Sequence, residues 1–194
     1  MSTARHPRYP FAPVVDLRSV QISDGTCCRL ASDHLPPASW EQLSTRRPQV
    51  LLGFLSDFRR LLEAIRSGAV TLEPVEHAVV TLLQYGDVTL SDEAREELWF
   101  GFQVPVYQVF LDPMGRVLLW ECETQSSWHL EPGVTASSSG NELLLHTRKS
   151  ECFQTGFSAR IECDCCACGR EGQRVTTVTA SSHTSKRRQI LPAA

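Results

Sequence analysis

The chain has 194 residues, with 19 Lys or Arg against 22 Asp or Glu, so it carries a formal charge of −3 with His neutral. That balance argues against a general nucleic-acid binder, which needs a basic face for phosphate contacts, and against a polybasic membrane anchor. With 42% hydrophobic and 21% charged residues the composition suits one folded domain with a core of its own and excludes a disordered chain.

No apolar run approaches the roughly 20 residues of a membrane helix, and the opening MSTARHPRYPFAP lacks the apolar stretch of a secretory leader. The expected location is cytoplasmic, with no membrane partner. In that reducing compartment the 8 Cys are expected as thiols or metal ligands, not disulfides. Cys27 and Cys28 stand apart as a pair. Cys152, Cys163, Cys165, Cys166 and Cys168 crowd into one stretch, with Cys122 ahead of them.

Residues 1–13 hold three prolines and no hydrophobic period, which predicts an irregular arm. VVDLRSVQI from Val14, the turn residues Ser23-Asp24-Gly25 and the run TCCRLA together predict a hairpin. Pro36 to Pro48 reads as a linker. In VLLGFLSDFRRLLEAIRSG, Leu51, Leu52, Leu55, Phe58, Leu62 and Ile65 fall at helical spacing, and the predicted amphipathic helix closes at Gly68. VEHAVVTLLQY predicts a second helix, ending at Gly86. Ser91 is placed to cap a third, because Asp92 and Glu93 fill a first turn where the helix dipole favours acids.

The period then changes. VPVYQVF and RVLLWE predict two strands joined by a turn at Asp112-Pro113-Met114-Gly115, and ELLLHT (142–147) and RVTTVT (174–179) predict two more. SSHTSKRRQILPAA reads as a mobile polar tail. The division is thus an arm at 1–13, a hairpin and helical region at 14–90, a metal-clamped α/β region at 91–180 and a tail at 181–194. The expected fold class is α/β or α+β, with helices across 50–101 and a mixed or antiparallel sheet from 104 onward.

Zinc prefers thiolate and imidazole donors in a tetrahedron, supplied as two pairs that the fold brings together. ECETQSSWH offers Cys122 and His129, and ECDCCACGR offers Cys166 and Cys168 ahead of Gly169, where the backbone can curl around an ion. Cys163 and Cys165 are reserve ligands. Cys27, Cys28, His6, His34, His77, His146 and His183 read more simply as packed or hydrogen-bonded side chains. Four donors, three of them thiolates, favour a closed structural zinc over a catalytic one with an open position. Glu121 and Glu123 flank Cys122 and are the nearest candidates for a general base, but read better as solvated strand ends.

The order of ECE, a His six residues on, the strand ELLL, a TG-containing segment and CxCGR resembles the central part of phenylacetate-CoA ligase and its relatives in the adenylate-forming (AMP-forming) superfamily. The resemblance covers about residues 95–172. It implies a structural zinc on Cys122, His129, Cys166 and Cys168. Other features of the family are missing. No Gly/Ser/Thr-rich phosphate loop precedes Val104, and VPVYQVFLDPMGRVLLWECE holds no adenine- and magnesium-contacting motif. In CFQTGF, Gln154 stands where the family has an Arg, and Phe157 stands where it has the ribose-binding carboxylate. The small C-terminal domain with its catalytic Lys is not expected after CGR. The implied function is a non-catalytic, zinc-stabilised relative acting as a structural or partner-binding module with a protein partner. The alternative is an acyl-activating ligase subunit completed by another chain, or an acyl-thioester enzyme. A zinc-dependent nucleic-acid binder is disfavoured by the charge.

Overall fold

Short runs of Val, Leu and Phe that are buried on both faces build the centre of this protein, and they do so as strands. A computed structural model describes residues 17–24, 28–140 and 142–180. The arm expected at 1–13, the tail at 181–194, and His6, Cys27 and His183 lie outside the described residues.

Among the described residues nine strands form one mixed sheet. Its parallel part contains β1 (Ser19–Gln21), β2 (Asp33–His34), β3 (Val50–Gly53), β4 (Ala78–Leu83) and β5 (Val106–Leu111), in the order β2-β1-β3-β4-β5. From β5 the sheet continues antiparallel through β6 (Val117–Glu121), β7 (Trp128–Leu130), β12 (Arg174–Ala180) and β11 (Phe157–Glu162). A second, three-stranded antiparallel sheet is made of β8 (Val134–Ser139), β9 (Glu142–Thr147) and β10 (Cys152–Gln154). The helices are the short α1 (Leu43–Arg46), which follows a 3-10 turn at Pro37–Gln42, then α2 (Leu55–Arg66) and α3 (Asp92–Phe102).

Alternation along the parallel strands sorts the core into two layers. Val20, Leu51, Val79 and Val106 face α2 and α3, where they pack with Phe58, Leu61, Leu62, Leu98 and Phe102. Val50, Leu52, Val80, Leu82 and Val109 point the other way, toward Val117 and Trp120. The second sheet lays Ala136, Leu143 and Leu145 over Phe110, Trp128, Phe157 and Val175.

Three expectations are corrected. β1 does not form a hairpin with the TCCRLA run. It pairs in parallel with β2 on one side and β3 on the other, with Val20 opposite both Asp33 and Leu51. Parallel neighbours need a long connection, and residues 28–32 of the segment between β1 and β2 lie alongside Ser19 at the start of β1. Ser19 Oγ donates to the Leu30 carbonyl (2.8 Å), and the Arg29 amide donates to the Gly115 carbonyl (3.1 Å).

The helix expected from Leu51 begins only at Leu55, because Val50–Gly53 is a fully buried strand. Gly53 lies so close to its neighbour that a Cβ there would sit 2.8 Å from Ile22 Cγ1. The helix expected in VEHAVVTLLQY is also a strand: every residue of β4 is buried, as a central parallel strand requires. A helix of the same sequence would leave one side of that apolar run in water.

α3 starts as expected, with Ser91 Oγ accepting from the Ala94 amide (3.2 Å) and Asp92 and Glu93 in the first turn. The β5–β6 turn also forms at the predicted place, held by Asp112 Oδ1 accepting from the Met114 and Arg116 amides. β7, β8, β10 and β11 were not anticipated.

Because Phe58 is fully buried and meets Phe102 edge-to-face with centroids 5.7 Å apart, Phe58→Ala should cost about 3–5 kcal/mol in urea unfolding. Phe100, 67% exposed, should lose less than about 0.5 kcal/mol on the same truncation. Similar losses at the two positions would contradict the assignment of the helix face.

Candidate metal centre

β6 ends at Glu121, and the chain turns at once: the Cys122 amide donates to the Ser127 carbonyl and the Gln125 amide to the Cys122 carbonyl, both at 2.8 Å. Gln125 takes a left-handed conformation (φ 55°) to close this turn. The return strand β7 sets His129 opposite Trp120, and the two rings meet at a tilt of 36° with centroids 4.8 Å apart. Cys122 and His129 are thus carried by one hairpin.

The other two donors come from the β11–β12 connection. There the Gly169 amide donates to the Cys166 carbonyl (2.8 Å) and the Cys166 amide to the Arg170 carbonyl (2.9 Å), a tight loop that Gly169 permits with φ 81°. Pairing of β12 with β7, Arg174 opposite His129, brings this loop to the first hairpin. Cys122 Sγ lies 3.6 Å from Cys166 Sγ, Cys168 Sγ lies 3.3 Å from His129 Nε2, and all four donor atoms fall within 4.8 Å of one another.

A tetrahedral ion with thiolate bonds of about 2.3 Å needs ligand separations of about 3.8 Å, so four donors at this spacing are close enough to bind a metal ion. The sulfur pair is too far apart for a disulfide bond, which is about 2.05 Å long. Three sulfurs and one imidazole suit a borderline or soft cation and not a hard one such as magnesium. Cys122, Cys166 and His129 are buried and Cys168 half-buried, whereas Cys163 and Cys165 are exposed and outside the cluster.

The surroundings set the protonation of the donors. Burial holds the His129 imidazole down to about 4, with the Arg170 and Arg174 charges adding to the effect, so it is neutral and able to ligate at pH 7. Burial pushes the Cys122 thiol up to about 11, against hydrogen bonds from Thr124. At Cys166 burial also opposes ionisation, but hydrogen bonds from Ser127 Oγ, Cys168 and Cys122 outweigh it and bring that thiol down to about 6. Arg174 hydrogen-bonds to Cys166 and pairs with Glu162 and Asp164. Arg170 lies over the Trp120 ring at 4.9 Å. Three thiolates around a divalent ion leave one negative charge, and these two guanidinium groups offset it.

Thr124, Ser127, Arg170 and Arg174 were not singled out from sequence. The β7–β12 pairing, which joins residues some 45 positions apart, places Arg174 at the cluster, whereas Arg170 follows Cys168 by two residues in the same loop. The reading of Glu121 as a solvated strand end is corrected. Its carboxylate is 4% exposed and accepts from Arg95 Nη2 (2.7 Å) and Gln108 Nε2 (3.3 Å), and burial raises its affinity for a proton against the Arg95 charge. It is a strut between α3 and β6. Glu123 is exposed and pairs with Arg170 (3.7 Å). His34 bonds to the Ser23 carbonyl and His146 to Ser137 Oγ, and Cys28 is buried in the core, all as expected.

The pH dependence follows from these shifts. Metal must displace the Cys122 proton at neutral pH, so affinity for added Zn2+ should rise about tenfold per pH unit between 7 and 8, or more. In the metal-free chain His129 takes a proton near pH 6.5 when unfolded but only near 4 when folded. Stability should therefore fall as pH drops from about 6.5 toward 4. Chelator competition at two pH values checks the first statement, and thermal unfolding across pH 4–7 the second; flat profiles would contradict them.

No protein-family profile matches the chain, and no curated protein matches it in sequence. Among solved structures the fold is similar to that of 2-hydroxyisobutyryl-CoA ligase in an open conformation with 2-HIB-AMP and CoA. The TM-score is 0.60 at 11% identity, covering 81% of this chain and 43% of that one. The same ligase in its postadenylation state with R3-HIB-AMP gives 0.60 at 12% identity, over 85% and 44%. Coronafacic acid ligase from Pectobacterium brasiliense gives 0.55 at 13% identity, over 89% and 40%. The chain spans less than half the length of these ligases. Its fold resembles that of adenylate-forming ligases.

Proposed function

We propose that this chain is a zinc-stabilised, non-catalytic relative of phenylacetate-CoA ligase that works as a structural or partner-binding module in the cytoplasm. The cluster of Cys122, His129, Cys166 and Cys168 carries the reading, because it supplies four protein donors and leaves no open position for substrate. Zinc is the ion that such a donor set suits best, and its role here is to clamp the β11–β12 pair to the β6–β7 hairpin.

The state of Phe157 supports the non-catalytic half of the reading. The side chain is 1% exposed and packs edge-to-face on Phe110, with centroids 5.5 Å apart. A core phenylalanine offers no acceptor for a ribose hydroxyl. The sequence also lacks a phosphate loop ahead of Val104, and acyl-adenylate formation requires the triphosphate to be held and its charge neutralised. Among the described residues no helix is long and apolar enough to cross a membrane.

A second reading, a ligase part completed by another chain, is favoured by the span of 43% and 40% of the two ligases. An exposed aromatic pair on α3, Trp99 and Phe100 at 5.0 Å, offers a face for such a chain.

Elemental analysis should find about one zinc per chain, and Cys122→Ser or Cys166→Ser should remove most of it while Cys165→Ser does not. Loss of zinc with Cys165→Ser alone would shift the ligand register. Supplied with ATP, magnesium and phenylacetate or other aryl and fatty acids, the zinc-loaded chain should release no pyrophosphate. Acid-dependent release above a heat-killed control would overturn the non-catalytic reading. Release that appears only with an added protein would favour the second one.

A further inference from the structure

Apart from the metal centre, one cavity gathers an excess of positive charge. The start of β6, the β7–β8 turn, the β9–β10 turn and the loop ahead of β2 enclose about 420 Å³, within the range of small-molecule sites. Arg29, Arg116, Arg148 and Lys149 line it, and Glu131 is the one carboxylate on its wall among the described residues. A chain with net charge −3 has placed four cations around one hollow.

The four are not equivalent. Arg116 is fixed in place, paired with Asp112 and with Glu151 (2.8 Å), whose carboxylate also accepts from Thr147. Lys149 lies near that same Glu151. Arg29 and Arg148 make no side-chain hydrogen bond or ion pair among the described residues. Arg29 is nonetheless positioned, since its amide is held by the Gly115 carbonyl (3.1 Å). Arg148 lies along the β7–β8 turn: a Cβ on Gly133 would come within 2.6 Å of its Nε and 3.0 Å of its Cδ. Absence of a side chain at Gly133, in a left-handed conformation (φ 90°), leaves room for the arginine stem.

Unpaired like charges facing one hollow repel each other, and a multiply charged anion relieves that repulsion. Guanidinium forks match phosphate oxygens two at a time. A lone carboxylate, with one charge, would leave part of the repulsion in place. The wall also exposes Leu30, Pro132 and Val134, apolar surface that inorganic phosphate would not use. Among the described residues no aromatic side chain lines the cavity to stack successive bases, which speaks against single-stranded nucleic acid.

From this placement we propose that the cavity is a binding site for a small phosphate ester, its dianion held by Arg29 and Arg148 and its organic body resting on Leu30, Pro132 and Val134. The test is titration of the full-length, metal-loaded chain with phenyl phosphate at about 0.1 M salt, followed by calorimetry and by amide chemical shifts. Phenyl phosphate should bind at least tenfold more tightly than benzoate and more tightly than inorganic phosphate. Arg29→Gln and Arg148→Gln should each weaken it fivefold or more. Arg18→Gln, whose guanidinium donates instead to the Arg47 carbonyl, should leave it unchanged.

Both test arginines are exposed, so the variants should keep the parent's thermal unfolding. If Arg148→Gln does not, the Arg29→Gln result decides alone. Equal affinity for benzoate or for inorganic phosphate, or binding unaffected by the folded variants, would overturn the proposal. Tighter binding of a single-stranded oligonucleotide that depends on Arg148 would overturn it in favour of a nucleic-acid surface.

Discussion

Two turns far apart in sequence meet at four donor atoms, and the β-rich half of the molecule is organised around that meeting. Among the described residues the β12–β7 seam has two pairs in register, Arg174 with His129 and Val175 with Trp128. So short a ladder holds a hairpin weakly by itself. An ion bound to Cys122, His129, Cys166 and Cys168 would close the loop from residue 122 to 168 and fasten the edge pair β11–β12 to the sheet. Without an ion the cluster is a poor structural element, since it packs two buried thiols and a buried imidazole with charged arginines beside them.

The centre is held from behind by the change of direction in the sheet. β5 is parallel to β4 and antiparallel to β6, and at that junction Gln108 of β5 and Glu121 of β6 share a buried network with Arg95 of α3. A buried ion pair adds little net stability but is costly to break, so it fixes geometry. Here it fixes the last residue of β6, one position before Cys122, the first of the four clustered donors. The helical half and the metal half are therefore joined by side chains as well as by the continuous sheet.

In the antiparallel half β6, β9 and β12 were legible in the sequence, and the signals that could be read elsewhere were local as well. The Ser91 cap, the Asp112–Gly115 turn and the Cys166-Ala-Cys168-Gly169 loop each act within a few residues. The two donor pairs could be named for the same reason, and the structure brings them together. The parallel half misled because VLLG and AVVTLL are buried on both faces, and a continuous apolar run carries no alternation to separate strand from helix. The short strands β7 and β10, with three residues each, hold too little pattern to be read. Arg95 and Glu121, 26 positions apart, look like surface charges until α3 is packed against β6. Arg174 beside the cluster was hidden by the same kind of long-range pairing.

The central claim is that one zinc is held by three sulfurs and one nitrogen, and X-ray absorption at the zinc edge of the purified chain tests it most directly. The account predicts three sulfur neighbours at about 2.3 Å and one nitrogen at about 2.0–2.1 Å. It also predicts a spectrum that changes on His129→Ala and does not change on Cys163→Ser. A shell of oxygen neighbours, four sulfurs, or a folded chain that retains no zinc would contradict it.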